Sequence, residues 1–259
     1  MQSVDHYENF PVASVLCPPH LRPPIQAIYH FARTADDLAD EGDASPQARL
    51  TALQTLRQDL QQCLADPAFL SPQWPQMLKA LRGQVQAFDL PVPLLLDLLD
   101  AFSQDVDYTC QARRYASRDE LLDYCRRSAN PIGRLLLHLY GVEDAVSLQQ
   151  SDAVCSALQL INFWQDLSVD TPRGRYYLPE NADLQEEMAF AKALMLQGAP
   201  LVHRVPGRAG WELRLVVQGG LRILEKSQAM DTRVDRPQIK APDLLLMAWR
   251  ACWMPQSRP

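Results

Sequence analysis

Apolar residues recur at helical spacing along almost the whole chain, and strand-like alternation between turn signals is hard to find anywhere in it. A 3.6-residue period sustained this way buries its apolar stripes against other helices, so the expected class is all-α. Pro23-Pro24 opens the first helix, because proline is tolerated where a backbone N–H has no intrahelical partner. Ile25, Ile28, Tyr29, Ala32, Ala35, Leu38 and Ala39 keep the period until the run Gly42 to Pro46 ends it. Further helices are expected at about 46–65, 77–88, 91–106, from Ser117, and at about 132–140. The next should start at Ser151 or Asp152 and run to about Val169, with late helices near 184–197, 210–230 and 242–253. Ser117 and Glu120 have capping-box spacing, and Asn130-Pro131 interrupts the helix they begin.

The 259 residues contain no repeat, low-complexity tract or linker, so one domain over 1–259 is expected. A net charge of −6 argues against nucleic acid as a partner, because neutralising phosphates needs clustered Lys and Arg. Arg greatly outnumbers Lys, and Arg is the better fork for phosphate, so a local anion site is compatible with an acidic chain. The six cysteines form no CxxC pair and none sits beside a His at zinc spacing. MQSVDHYENF lacks a basic and apolar leader, and no segment reaches about 18–20 unbroken apolar residues. The expected location is the cytoplasm, with reduced cysteines. A peripheral contact at the inner face of the membrane stays open.

Two acidic helical faces carry the chemistry. In Arg33-Thr34-Ala35-Asp36-Asp37-Leu38-Ala39-Asp40, Asp36 and Asp40 lie one turn apart, with Tyr29 and Arg33 above them on nearly the same stripe. Like charges at this spacing cost an isolated helix a few tenths of a kcal/mol. The C-terminal end of the helix dipole disfavours them further, so a bound cation is one compensation. The stripe Gln159, Asn162, Asp166, Asp170 repeats the arrangement at the end of another helix, with an amide oxygen one turn earlier. One such Asp pair is usually a solvated face. Two of them, each ending an apolar helix, match the way helical bundles build metal sites. Oxygen-only donors suit Mg²⁺ completed by substrate phosphates, and departure of a diphosphate is a reaction such an ion assists. Arg173 and Arg175 straddle Gly174 directly after the second face, either as an ordinary basic turn or within reach of the same anion. Phe163 and Trp164 read first as core, with one of them open to substrate. Asn130 orients water if the kink at Pro131 faces the cavity.

Ala27–Asp40 (AIYHFARTADDLAD) and Leu158–Pro179 (LQLINFWQDLSVDTPRGRYYLP) resemble the two Asp-rich motifs of the squalene and phytoene synthase family. Leu121–Gly141 resembles the helix between them, and Gly219–Asp231 and Leu244–Trp253 resemble its C-terminal helices. The resemblance covers nearly the whole chain. It implies an isoprenoid synthase fold around a central cavity, with Mg²⁺ held by Asp36, Asp40, Asn162, Asp166 and Asp170. It implies diphosphate contacts from Tyr29, Arg33 and Arg175, with Gln159 near the cation path. Tyr176 in the trailing Arg-Tyr-Tyr-Leu-Pro run, Phe163 and Asn130 join the expected substrate contacts.

Three departures from the family pattern stand out. Glu8–Ser14 (ENFPVAS) replaces a Ser-rich opening segment, Ser128–Pro131 (SANP) replaces an Ala-Gly, and Gln165 replaces an Arg before the Asp. Together they are most similar to the hydroxysqualene-forming branch of bacterial hopanoid biosynthesis. The implied reaction is a lyase-type conversion of presqualene diphosphate and water to hydroxysqualene and diphosphate. Presqualene diphosphate ionises, the cyclopropylcarbinyl cation rearranges, and water captures it. The implied partners are presqualene or farnesyl diphosphate and a downstream squalene-forming enzyme that takes the product. One alternative is a head-to-head prenyltransferase making presqualene diphosphate, squalene or phytoene. The other is a non-catalytic assembly protein on the same scaffold, against which the two intact acidic motifs argue.

Overall fold

A computed structural model describes residues 17–255, so the Glu8–Ser14 segment lies outside the described residues. Within them the chain is helical and no strand occurs. A short 3₁₀ turn, Pro19–Leu21, leads into α1 (Arg22–Asp40). There follow α2 (Pro46–Ala65), α3 (Pro75–Phe88), α4 (Val92–Cys110), α5 (Arg118–Ser128) and α6 (Asn130–Leu139). The second part comprises α7 (Ala145–Gln165), the single turn α8 (Leu167–Asp170), α9 (Leu184–Gly198), α10 (Gly207–Gln228) and α11 (Ala241–Cys252).

Proline sits in the first turn of α1, α2, α3, α4, α6 and α11, where its missing N–H costs nothing. Side-chain caps fix other starts. Ser117 accepts from the Glu120 N–H at 3.2 Å, and Asp183 accepts from the Glu186 N–H at 3.0 Å. The expected cap at Ser151 or Asp152 is corrected by the structure. α7 starts six residues earlier than Ser151, and Asp144 is the cap, accepting from the Ser147 N–H at 3.0 Å. Ser147 and Ser151 are buried, which an apolar-period search from Ser151 onward overlooks. The expected break falls one residue earlier, at Ala129 between α5 and α6, and Asn130-Pro131 form the first turn of α6, where proline is tolerated.

Two large apolar clusters hold the helices. One gathers α1 to α4 and α6 around Phe31, Leu53, Leu56, Leu60, Leu81 and Leu95, all fully buried. Complete burial of Phe31 alone contributes roughly 1.5–3 kcal/mol. The other surrounds α7, which packs on α5, α6, α9 and α10 and buries residues on most of its circumference. α9 approaches α7 closely because Gly198 has no side chain: a Cβ there would stand 2.5 Å from the Gln150 carbonyl oxygen. α1 and α7 thus each end with their acidic residues directed by a tightly packed apolar body. No described helix is long and apolar enough to cross a membrane.

Candidate active site

The first acidic face stays within α1. Arg33 reaches down its own helix to Asp36 at 3.1 Å and Asp37 at 2.7 Å. Asp40, one turn below Asp36, pairs instead with Arg175 at 2.8 Å. Tyr29 is half-buried on the same stripe, with its ring edge-on to His30 at 5.7 Å.

The second face is not the continuous helix expected to Val169. α7 ends at Gln165, Asp166 leaves helical geometry at φ −101°, ψ 12°, and α8 restarts at Leu167. The interruption has a tertiary cause. Gln165 is buried and donates to the Pro237 carbonyl at 2.7 Å, and Arg236 is ion-paired to Asp166. The Ser168 N–H donates to the Thr232 carbonyl at 3.0 Å, so the 229–240 segment is laid along the face. Asn162 and Gln159 remain half-buried on α7, one and two turns before Asp166.

Arg175 brings the two faces together. Gly174 takes φ +80°, a left-handed turn that suits only glycine without strain, and the Arg175 N–H then donates to the Asp170 carbonyl at 3.1 Å. The Arg175 side chain turns back between Asp40 and the carboxylate of Asp170, 3.9 Å away. Arg173, the other arginine of the pair, is exposed.

A third carboxylate, which sequence reasoning missed, stands behind this bridge. Asp105 on α4 accepts two contacts from the Tyr177 hydroxyl, at 2.8 and 3.0 Å. Its signal was present: Leu98 and Ala101 are buried, and Asp105 continues their helical stripe with a charge. Asp105 is pushed up to about 6, chiefly by burial, with Tyr177 and Arg175 opposing. Asp36 and Asp170 are each pushed up to about 7. Enclosure is the largest cause for both, followed by the like charge of Asp40 for Asp36 and of Asp166 for Asp170. Burial and neighbouring like charges outweigh the arginines beside these carboxylates.

The expected substrate contacts divide. Tyr176 is half-buried under the guanidinium of Arg114, 4.5 Å from its ring centre. With Arg114, Arg175 and Arg233 it borders a cavity of about 260 Å³. Phe163, read first as core and also as a candidate substrate contact, is buried as the core reading expects, and its ring stacks on Tyr177 at 3.8 Å between centres. It acts as the floor on which Tyr177, and through it Asp105, is held. Asn130 is also buried and accepts from the Ser156 hydroxyl at 2.9 Å. Besides Asp105, the residues not foreseen are Arg114, Tyr177 and Arg236. Arg236 pairs with an Asp 70 positions away, and nothing in its own neighbourhood announced it.

Asp40 Oδ1 is buried without a hydrogen-bond partner. An orphaned carboxylate oxygen, two carboxyls raised toward neutrality and an oxygen-only donor set fit a hard divalent cation. Among the described residues no three His, Cys, Asp or Glu side chains form a ready metal cluster. A Mg²⁺ ion held here would take one or two protein carboxylates per ion and be completed by water and phosphate oxygens.

An all-helical body with two acidic helix ends facing each other across an arginine defines an isoprenoid-synthase-like protein. The squalene/phytoene synthase family profile matches residues 4–186, and the chain belongs to that family. A hydroxysqualene synthase of Rhodopseudomonas palustris is 32% identical, over 94% of this chain and 87% of its own. Another, from Zymomonas mobilis, is 39% identical over 67% of this chain and 55% of its own, so the match spans about half of that relative. Further relatives bear the names presqualene diphosphate synthase and phytoene synthase. Among solved structures, a squalene synthase of Alicyclobacillus acidocaldarius superposes with a TM-score of 0.74 at 33% identity, covering 86% of this chain and 89% of that one.

Proposed function

We propose that this chain converts presqualene diphosphate and water to hydroxysqualene and diphosphate. The observation that carries the proposal is the convergence of Asp40 and Asp170 on Arg175, with a buried, partnerless Asp40 oxygen at the junction. The likeness to two hydroxysqualene synthases supports the particular reaction.

Asp36, Asp40, Asn162, Asp166 and Asp170 would hold Mg²⁺, whose chemistry is to neutralise the departing diphosphate. Arg175 changes partner on substrate binding, from Asp40 to a phosphate oxygen, and supplies a fixed positive charge where the leaving group gathers its own. Arg33, already oriented by Asp36 and Asp37, stands on the same stripe and contributes similarly. Tyr177, Phe163, Tyr124 and Tyr115 form one aromatic group beside the carboxylates. Aromatic faces stabilise a carbocation and keep bulk water from it until rearrangement is complete. Asn130, fixed by Ser156, and Gln159 are the amides available to position the water that ends the reaction.

The relatives named presqualene diphosphate synthase and phytoene synthase favour a second reading, head-to-head condensation of two isoprenoid diphosphates. The test is to offer farnesyl and presqualene diphosphate separately, with Mg²⁺ and without reductant, and to identify the products by mass. Hydroxysqualene from presqualene diphosphate with farnesyl diphosphate untouched is the expected result. Consumption of farnesyl diphosphate would select the second reading, and turnover of neither would return the assembly-protein alternative.

A further inference from the structure

The large apolar side chains that this fold leaves in water are gathered toward its C-terminal end. Of twelve such residues among those described, eight lie between 211 and 253. Three of the chain's five tryptophans, Trp211, Trp249 and Trp253, belong to this set, whereas Trp164 is fully buried. Scattered exposed apolar residues are ordinary; a concentration of tryptophan and leucine is not.

α11 is the centre of the patch. It turns Asp243, Met247 and Ala251 inward, with Asp243 bound by Arg222 at 2.7 Å and also by Lys226. Its other charge, Arg250, is directed to Glu225 at 2.6 Å. The outer stripe that remains is Leu245, Ala248, Trp249 and Cys252, followed by Trp253, and it carries no charge. Leu245 is 78% exposed, Trp249 63% and Trp253 74%. A helix on the surface of a water-soluble body normally shows a polar outer face. α10 extends the patch with Trp211 and Leu215, one turn apart. Arg214 stacks on Trp211 at 4.7 Å and donates to the Ala251 carbonyl at 3.0 Å, which sets this pair beside the end of α11.

Charge identifies the occupant. Residues 204–255 hold nine Lys and Arg against five Asp and Glu; Arg204, Arg222, Lys226, Arg236 and Arg250 are ion-paired within the molecule, and Arg208, Arg233 and Lys240 stand exposed. Exposed Arg208 and Lys240 stand at the beginnings of α10 and α11. Two copies meeting through this end would set one basic region against another. A bilayer with anionic headgroups complements both features, since tryptophan and leucine enter the interface while Lys and Arg meet the headgroups. The 229–240 segment that leads into α11 exposes 70% of Val234 and also binds the second acidic face through Arg236. A bilayer on this patch therefore lies next to the segment that lines the candidate site.

We propose that the outer face of α11, with the first turns of α10, is a peripheral docking surface for anionic lipid bilayers. The proposal does not depend on which isoprenoid diphosphate the site accepts. The test sediments the full chain with vesicles of phosphatidylcholine alone and of phosphatidylcholine mixed with phosphatidylglycerol. The expected result is binding to the mixed vesicles, weakened by salt, with a blue shift of tryptophan emission. Trp249→Ser with Trp253→Ser should bind at least ~10-fold more weakly while keeping its helical circular dichroism and its turnover of detergent-dispersed substrate. Should that variant not fold, Arg208→Glu with Lys240→Glu carries the same test through the charges. Absence of binding to the mixed vesicles, or equal binding by a folded variant, overturns the proposal. So does a dimer that the tryptophan variant splits and vesicles leave intact.

Discussion

On α1 the acidic residues keep one unbroken helix, and the cation of Asp36 and Asp37, Arg33, comes from the same helix one turn away, while Asp40 pairs with Arg175. On α7 the same spacing is cut at Asp166, and its cation, Arg236, comes from the segment before α11. Two motifs that look alike in sequence are therefore held by different forces. The first depends on local helix geometry. The second depends on how the 229–240 segment is laid down, so it is the face that substitutions far away can disturb. Arg175 is the element common to both, because it touches Asp40 from one and approaches Asp170 from the other.

The largest effect is expected from the carboxylates that meet at Arg175. Asp40→Asn and Asp170→Asn should each lower kcat about 10²–10³-fold at saturating Mg²⁺, as loss of a charge-stabilising group does elsewhere. Full turnover with either face neutralised would break the equivalence of the two faces. Arg175→Gln should follow at about 10²-fold, with Arg175→Lys recovering only part, because an ammonium cannot reproduce the guanidinium fork. Steady-state kinetics of the three variants side by side would rank them.

A smaller effect concerns both faces equally and is read without substrate. Asp36 and Asp170 are raised from 3.8 to about 7 in the fold. A carboxyl raised on folding is easier to carry neutral, so its ionisation destabilises the native state as pH rises through about 7. The metal-free protein should therefore gain a few degrees in Tm as pH falls from 8 toward 5.5, before general acid effects intervene. Mg²⁺ should flatten that slope, since it adds positive charge. Differential scanning calorimetry across this range, with and without Mg²⁺, would show it. An unchanged or opposite slope would mean that burial and like charge do not outweigh the arginines.

The smallest effect separates the faces. Arg236→Gln removes a partly exposed ion pair and should cost about 0.5–1 kcal/mol in chemical denaturation. It should weaken Mg²⁺ dependence through Asp166 while leaving the α1 face as it was. Equal disturbance of both faces would show that Arg175 couples them more tightly than its contacts indicate.

The acidic faces were legible because carboxylates one turn apart on an otherwise apolar helix stand out against the period. The same period identified every long described helix, and proline placed the starts of α1, α2, α4 and α11, whereas α3 begins at Pro75 and not at Met77. Asp105 was legible in principle, as a charge continuing the buried stripe of Leu98 and Ala101, but it lay within a helix that raised no other question. Phe163 was ambiguous in sequence between core and substrate wall. The stacking partner that buries it, Tyr177, lies on a different element.

The sequence by itself determined the helical class and the two carboxylate spacings, since each follows from neighbours within a few residues, and it left Arg175 open between an ordinary basic turn and an anion contact. Tertiary structure alone decided that Arg175 bridges Asp40 and Asp170 across 130 positions of chain. It likewise decided that Arg236 and Pro237 break α7 at Asp166, and that Tyr177 shelters Asp105. The physical reason is common to all three. Helix periodicity is a local property, whereas the partner of a buried charge is whichever group the packing of distant helices brings within a few ångströms.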